Sequence, residues 1–420
     1  MTLKAVQIRF MNCVTFVFNV VKLLLEDSQK KVTDRFDFLD GYRGFCALTV
    51  TLHHTVPVYG DPGDFKWFIK AGYFIGVLGF FVLSSFLLTF RMIKDFNKSK
   101  NFNEILEIIF KYFIRRLFRI YIPFFIFVTL IKIGPNCVKG IYTRFNSWFG
   151  LITLESPGFN HLWTIPIEIK YYFIIPLICL VFHYSKKFWF LLLAPSVGLT
   201  YFLFASYLRI NQNDLEIAIS NKLWPRFSVF YSGSVVALLY FKYEEWTSEW
   251  KNVFKHKIMR LILCMVSYLM TWYGITHFSP YYKADINLIK DANHPGIKFS
   301  ILLFFMLIGA PNDFTRVFGQ NFLLKKIGKF SFGVYLWHPM AITLILRNYR
   351  FERRISALAC VLMLTQLSAV LFYFLVENPM MKLGNILIQK VEIQTIISKF
   401  DRFKYKLIQN EVSNSLESNI

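Results

Sequence analysis

Apolar residues in this chain gather into long runs rather than narrow stripes. Ten stretches, near 42–58, 71–90, 117–133, 163–182, 188–206, 224–241, 258–277, 297–311, 328–346 and 355–376, are almost continuously hydrophobic. Each is close to the length that a helix needs to cross about 30 Å of hydrocarbon, the shortest only marginally. Lipid offers backbone N–H and C=O groups no partner but each other, so such runs predict helices rather than open strands. The pattern therefore predicts an all-α membrane protein, a polytopic bundle of about ten transmembrane helices. It would lie at 35–380, between a segment at 1–34 and a tail at 381–420. No internal repeat is visible.

The polar segments give this bundle a direction. With a cytoplasmic N-terminus, the segment 91–116 lies inside and carries Arg91, Lys94, Lys98, Lys100, Lys111, Arg115 and Arg116. The preceding outside segment, 59–70, has only Lys66 and Lys70. The basic part of the tail, 382–406, also falls inside, as the positive-inside tendency asks. RNYRFERR at 347–354 opposes it, with four arginines outside. Either the span count is off by one there, or those arginines serve an outward-facing purpose. Residues 10–25 are apolar but broken by Asn12, Asn19 and Lys22, with no small-residue cleavage site behind them. An interfacial amphipathic helix is expected rather than a cleaved signal peptide. The ending NEVSNSLESNI is expected to be disordered.

Composition removes several classes. Hydrophobic residues make up 55% of 420 residues, 48 of them Phe, and the mean hydropathy is +0.42. A soluble domain seldom carries that much apolar surface. The net charge of +22 sits between the apolar runs, where it suits an anionic leaflet rather than nucleic acid. Six cysteines are scattered singly, with no CxxC pair and no Cys/His cluster, so neither a disulfide framework nor a metal site is expected.

Ionisable residues inside the runs are the candidate chemistry, because charge at membrane depth is costly and faces a cavity or a partner. Arg43 and His54 lie eleven residues apart in the first run. At 100° per residue that is roughly three turns, which puts both on one face about 16 Å apart, with His53 about 80° away. Imidazole titrates near neutrality and can accept and return a proton, so His54 is the candidate base. The alternative is a histidine bonded to a nearby carbonyl. Arg43 could snorkel to headgroups or hold a ligand phosphate. Asp40 reads as a helix N-cap. Arg116 and Arg119, at i and i+3, form a second pair suited to bidentate phosphate binding, or a simple positive-inside flank. Glu168 interrupts an apolar span seven residues after His161 and needs a partner or a proton.

Five blocks in order also resemble the acyltransferase type 3 family of integral-membrane O-acyltransferases. They are LDGYRG followed by His53-His54, FFVLSSFLLTF at 80–90, RRLFRIYIP at 115–123, HLWTIPIEIKYYFIIP at 161–176 and FSFGVYLWHP at 330–339. The resemblance implies acyl-coenzyme A as donor, held at Arg43, Arg116 and Arg119, with His54 and Glu168 catalytic. Ser84, His161, Trp163 and His338 match family blocks and would line the substrate path, while Trp163 and Trp337 could equally be interfacial belt residues. Two departures stand out. Ser85 replaces a glycine, and Ile169-Lys170 stands where the family has Glu-Gln, so no second carboxylate role carries over. Some members carry an appended soluble hydrolase-like domain, for which the tail is too short.

The expected function is transfer of an acyl group, most plausibly acetyl, from acyl-coenzyme A to a hydroxyl of a carbohydrate or lipid-like acceptor. The expected setting is multi-pass in a plasma or internal membrane, among membrane lipids, without metal or nucleic acid. Two rivals remain. A secondary transporter of an anionic solute also fits intramembrane Arg, His and Glu, but the inverted repeats common in that class are absent. An inactive relative would not need to retain those buried charges.

Overall fold

A computed structural model describes residues 36–55, 66–142, 148–155, 160–185, 226–277, 294–308, 312–348 and 354–390, together with residues 188, 190 and 223. Among the described residues the regular structure is entirely helical. The described part of each predicted run is largely helical, and 188–206 lies outside the described residues apart from its start. The N-terminal segment, residues 349–353 of the arginine-rich segment and the tail beyond Lys390 also lie outside them.

The chain forms α1 (Asp37–Thr55), α2 (Lys66–Lys98), α3 (Phe102–Arg116), a π turn (Leu117–Tyr121) and α4 (Ile122–Ile133). Short helices α5 (Asn136–Ile141) and α6 (Trp148–Ile152) lead to a 3-10 turn (Asn160–Trp163), then α7 (Thr164–Tyr172) and α8 (Ile174–Ser185). After α9 (Phe227–Glu245), α10 (Ser248–Lys255) and α11 (Lys257–His277) come α12 (His294–Leu307), α13 (Asn312–Gln320) and α14 (Phe322–Lys329). The last described elements are α15 (Ser331–Asn348), α16 (Arg354–Phe372), a second π turn (Tyr373–Glu377) and α17 (Asn378–Lys390). Among the described residues three stretches are long and apolar enough to cross a membrane: Gly76–Lys98, His161–Ser185 and Ser356–Gln389. Their outer faces are greasy in a helical rhythm. Phe173, Leu177, Val181 and Tyr184 are exposed along α8, and Met363, Leu367, Leu371 and Leu375 along α16 and its π turn. A contiguous apolar face of this kind suits lipid rather than water.

Hydropathy marked where helices leave lipid, not where they end. The basic segment 91–116 is accordingly helix for most of its length, first as the end of α2 and then as α3. Asn101 caps α3, accepting from Glu104 N at 2.9 Å while its amide donates to the Glu104 carboxylate at 3.0 Å. The helix α1 likewise starts at Asp37, so Asp40 is not an N-cap. It lies in the first turn and accepts from Arg43 at 3.3 Å.

Glycine decides how the centre packs. A Cβ on Gly44 would sit 1.8 Å from the Leu324 carbonyl oxygen, and one on Gly328 would sit 1.8 Å from that of Asp40. The helices α1 and α14 thus touch backbone to backbone, with no space for a side chain at either point. Arg43 and Lys329 each stand next to one of these glycines in the chain. Gly328→Ala must push the helices apart, and overpacking of that kind costs about 1–3 kcal/mol. A lowered melting temperature in detergent is the expected result, and an unchanged one would contradict the close approach.

Ser85 has a packing answer. A Cβ on Gly233 of α9 would come within 2.1 Å of Ser85 Oγ, and that hydroxyl donates back to Phe81 O and Val82 O at 2.8 and 3.0 Å. The glycine needed for the α2–α9 approach has its counterpart on α9, and Ser85 is buried away from any cavity.

Prolines shape the remaining backbone. A proline has no N–H to give to the carbonyl four residues earlier, and its ring crowds that carbonyl. Pro176 frees the Tyr172 carbonyl, which accepts from Tyr112 OH at 3.1 Å, and the break between α7 and α8 falls there. Pro123 and Pro379 each follow a π turn by two residues, and π bulges often mark functional sites.

Candidate functional site

The two π turns face a common cavity. It encloses about 900 Å³, part of it open to solvent. Arg43 from α1, Ser84 from α2, Arg116 and Arg119 around the first π turn, Glu168 and Tyr172 from α7, Lys329 from α14 and Glu377 from the second π turn all line it. Its other walls are apolar, including Val77, Phe80, Phe81 and Phe332. Four basic side chains against two carboxylates make the space favourable to an anion.

Each side chain is held differently. Arg119 is exposed to the cavity, whereas Arg116 lies over the Tyr172 ring at 5.9 Å with its Nε buried and unpartnered. Guanidinium forks so placed can take phosphate oxygens in pairs. Arg115, the neighbour on α3, is not among the lining residues. Among the described residues Glu168 forms no ion pair with an arginine and no hydrogen bond to His54. Its Oε1 accepts from Ser84 Oγ at 2.5 Å and from Tyr172 OH at 2.7 Å, which satisfies the carboxylate within the wall.

Histidines gather next to this cavity. His54 lies in the last turn of α1, with its ring centroid 5.1 Å from that of His338 and the planes 31° apart. His338 in turn lies 4.9 Å from His161, and His53 is 5.0 Å from His54, edge to face. His54 is only partly buried, while His161 and His338 are 3% and 0% exposed, so the pair backs His54 rather than lining open space. His338 Nδ1 is 3.2 Å from Val334 O, and its Nε2 and both His161 ring nitrogens are buried without hydrogen-bond partners. The Leu336 carbonyl beside His161 instead accepts from Tyr142 OH at 3.1 Å. Tyr335 joins the two halves of the site. It lines the cavity, donates to the His161 carbonyl and lies 2.7 Å from the Thr164 hydroxyl, also in the cavity wall.

Tertiary structure thus brings Arg43, Arg116, Arg119, Ser84 and Glu168 to one cavity, and His54, His161 and His338 to one cluster beside it. Trp163 joins neither. It is 2% exposed, edge-on to Phe81 at 6.1 Å and under the Arg226 guanidinium at 5.8 Å. Trp337 packs against Phe127 at 5.2 Å and Phe372 at 6.0 Å. Both tryptophans sit in aromatic packing against neighbouring elements. Sequence reasoning missed Lys329, Glu377, Tyr172 and Tyr335. Glu377 had the same signal as Glu168, a carboxylate interrupting an apolar run, in FYFLVENP. Lys329 looked like an ordinary basic flank.

The family profile described as an acyltransferase domain matches residues 36–375. The chain is similar to O-acetyltransferase OatA of Staphylococcus aureus strain NCTC 8325 / PS 47 and of strain MRSA252. Each is 22% identical over 377 residues, covering 82% of this chain and 57% of the relative. The chain therefore spans little more than half the length of these curated relatives, and no solved structure matches it. Since the matched segment runs from the start of α1 into the second π turn, the chain belongs to the acyltransferase type 3 family.

Proposed function

We propose that the protein is a multi-pass integral-membrane O-acyltransferase that uses acyl-coenzyme A, with acetyl as the acyl group. One observation carries the reading: Arg43, Arg116, Arg119 and Lys329 converge on a single cavity whose wall, through Tyr335 and Thr164, continues into the His54 cluster. The similarity to O-acetyltransferases supports the same chemistry. The donor diphosphate would sit at Arg116 and Arg119, with its pantetheine arm passing Arg43 toward His54.

At the reacting end, His54 takes the proton of an acceptor hydroxyl as its oxygen attacks the thioester carbonyl. The C–O bond forms, the C–S bond breaks, and the imidazolium returns the proton to the departing thiolate. Imidazole accepts the proton in its neutral form and gives it back as imidazolium, so one ring serves both steps. Glu168, already satisfied by Ser84 and Tyr172, acts as a wall group that fixes those hydroxyls rather than as a second base. The acceptor is a carbohydrate or lipid-like alcohol.

Membranes holding the full chain, supplied with radiolabelled acetyl-coenzyme A, should pass label into a carbohydrate or lipid fraction. Matched membranes without the protein should not. Absence of label in every fraction, from a folded protein that does not bind coenzyme A, would overturn the reading in favour of an anion transporter or an inactive relative.

A further inference from the structure

The second π turn contributes a side chain that an anion site should not want. Glu377 is 6% exposed, and its Oε1 is buried with no hydrogen-bond partner. It lines the same cavity as Arg43, Arg116 and Arg119. Among the described residues it forms no ion pair with either Arg116 or Arg119. Glu168, the other carboxylate in the wall, behaves in the opposite way, because two hydroxyls already satisfy it. A buried polar group without a partner is costly, so a carboxylate kept open in a ligand cavity calls for a donor from the ligand.

We infer that Glu377 is a donor-recognition residue, accepting a hydrogen bond from an amide N–H or the hydroxyl of the pantetheine arm of acyl-coenzyme A. This rests on the reading of the cavity as the acyl-coenzyme A site. An ionised phosphate offers no N–H or O–H to this unpartnered acceptor oxygen, so it cannot satisfy it. The neutral arm is the part of the donor that fits a buried, largely apolar wall of Val77, Phe80, Phe81 and Phe332, whereas the phosphorylated adenosine end carries charge suited to the open part of the cavity. The arm also offers what a carboxylate can take: two amide N–H groups and a hydroxyl. Pro379 follows two residues later, and the wide π turn it accompanies aims this carboxylate inward instead of into the α16 helix surface. Glu377 would thus let a basic cavity distinguish a pantetheine-bearing donor from any other phosphate of similar charge.

The sign of the effect makes the inference testable. Removing a carboxylate from a basic cavity should tighten every anion that merely senses charge. The probes are coenzyme A and 3′-phosphoadenosine 5′-diphosphate, which keeps the nucleotide and both bridging phosphates but lacks the arm. Binding of each to the purified full chain is measured for wild type, Glu377→Gln and Glu377→Ala, with melting temperature as the check on folding. Expected is a loss of about 10-fold or more in coenzyme A affinity for Glu377→Ala, and a smaller loss for Glu377→Gln, which keeps an acceptor oxygen. The arm-less nucleotide should bind as well as, or better than, it binds wild type. Equal tightening of both probes would overturn the inference and leave Glu377 as a counter-charge. Equal weakening of both would also overturn it and make Glu377 a support for Arg119. Failure of the wild type to bind either probe would instead defeat the proposed function itself.

Discussion

His54→Ala is expected to lower acyl transfer by about 10²–10⁴-fold, the range that a positioned general base contributes. The protein should remain folded, because His54 is only partly buried near the end of α1. Its neighbours sharpen the expectation. His338 lies against it at 5.1 Å, with Nδ1 near the Val334 carbonyl, so the buried rings behind His54 fix its position rather than compete with it in the cavity. His53→Ala is the control. It alters a ring 5.0 Å away on a different helix face and should leave most of the transfer intact. Transfer is measured in membranes matched for expression, alongside a melting curve. Near-normal transfer by a folded His54→Ala protein would sink the assignment of the base.

Arg119→Ala should raise the KM for acetyl-coenzyme A by roughly 10–100-fold, since a hydrogen bond to a charged group contributes about 1.5–3 kcal/mol. Arg119 is the informative member of its pair. It projects into the cavity from the first π turn, whereas Arg116 also packs over Tyr172, so its removal would disturb the wall as well. Arg119→Lys keeps the charge but loses the planar fork, and should recover only part of the lost affinity. The measurement is a donor titration at saturating acceptor, with kcat read separately. An unchanged KM in both variants would place the diphosphate elsewhere in the cavity.

Much of the fold was legible because lipid simplifies the problem. Where water is absent, an apolar run of sufficient length can only be helix, and runs such as 71–90 and 355–376 needed no tertiary information. The Asn101–Glu104 cap was equally open to reading, since both partners lie within one turn. The intramembrane charges Arg43, His54, Arg116, Arg119 and Glu168 were visible for a related reason: each interrupts or flanks an apolar run where charge is costly. Their match to family blocks supplied an order, and five blocks in sequence identified the family that the comparisons then found.

What the sequence could not say is which of these groups meet. Arg43 and Lys329 share a wall only because Gly44 and Gly328 let α1 and α14 touch through bare backbone, a contact between residues far apart in the chain. Glu168 could have oriented His54, yet α2 and α7 bring Ser84 and Tyr172 to it first, and a satisfied carboxylate has no need of another partner. His338 and His161 reach His54 from two other elements, and Ser85 is accommodated by a glycine on α9. The sequence by itself determined the helices, their lipid setting and most of the charges that line the cavity, because those follow from local hydropathy and the cost of burying ions. Only tertiary structure decided the pairing of that charge, because side chains find their partners through helix packing, and packing is settled by non-local close contacts that no local pattern records.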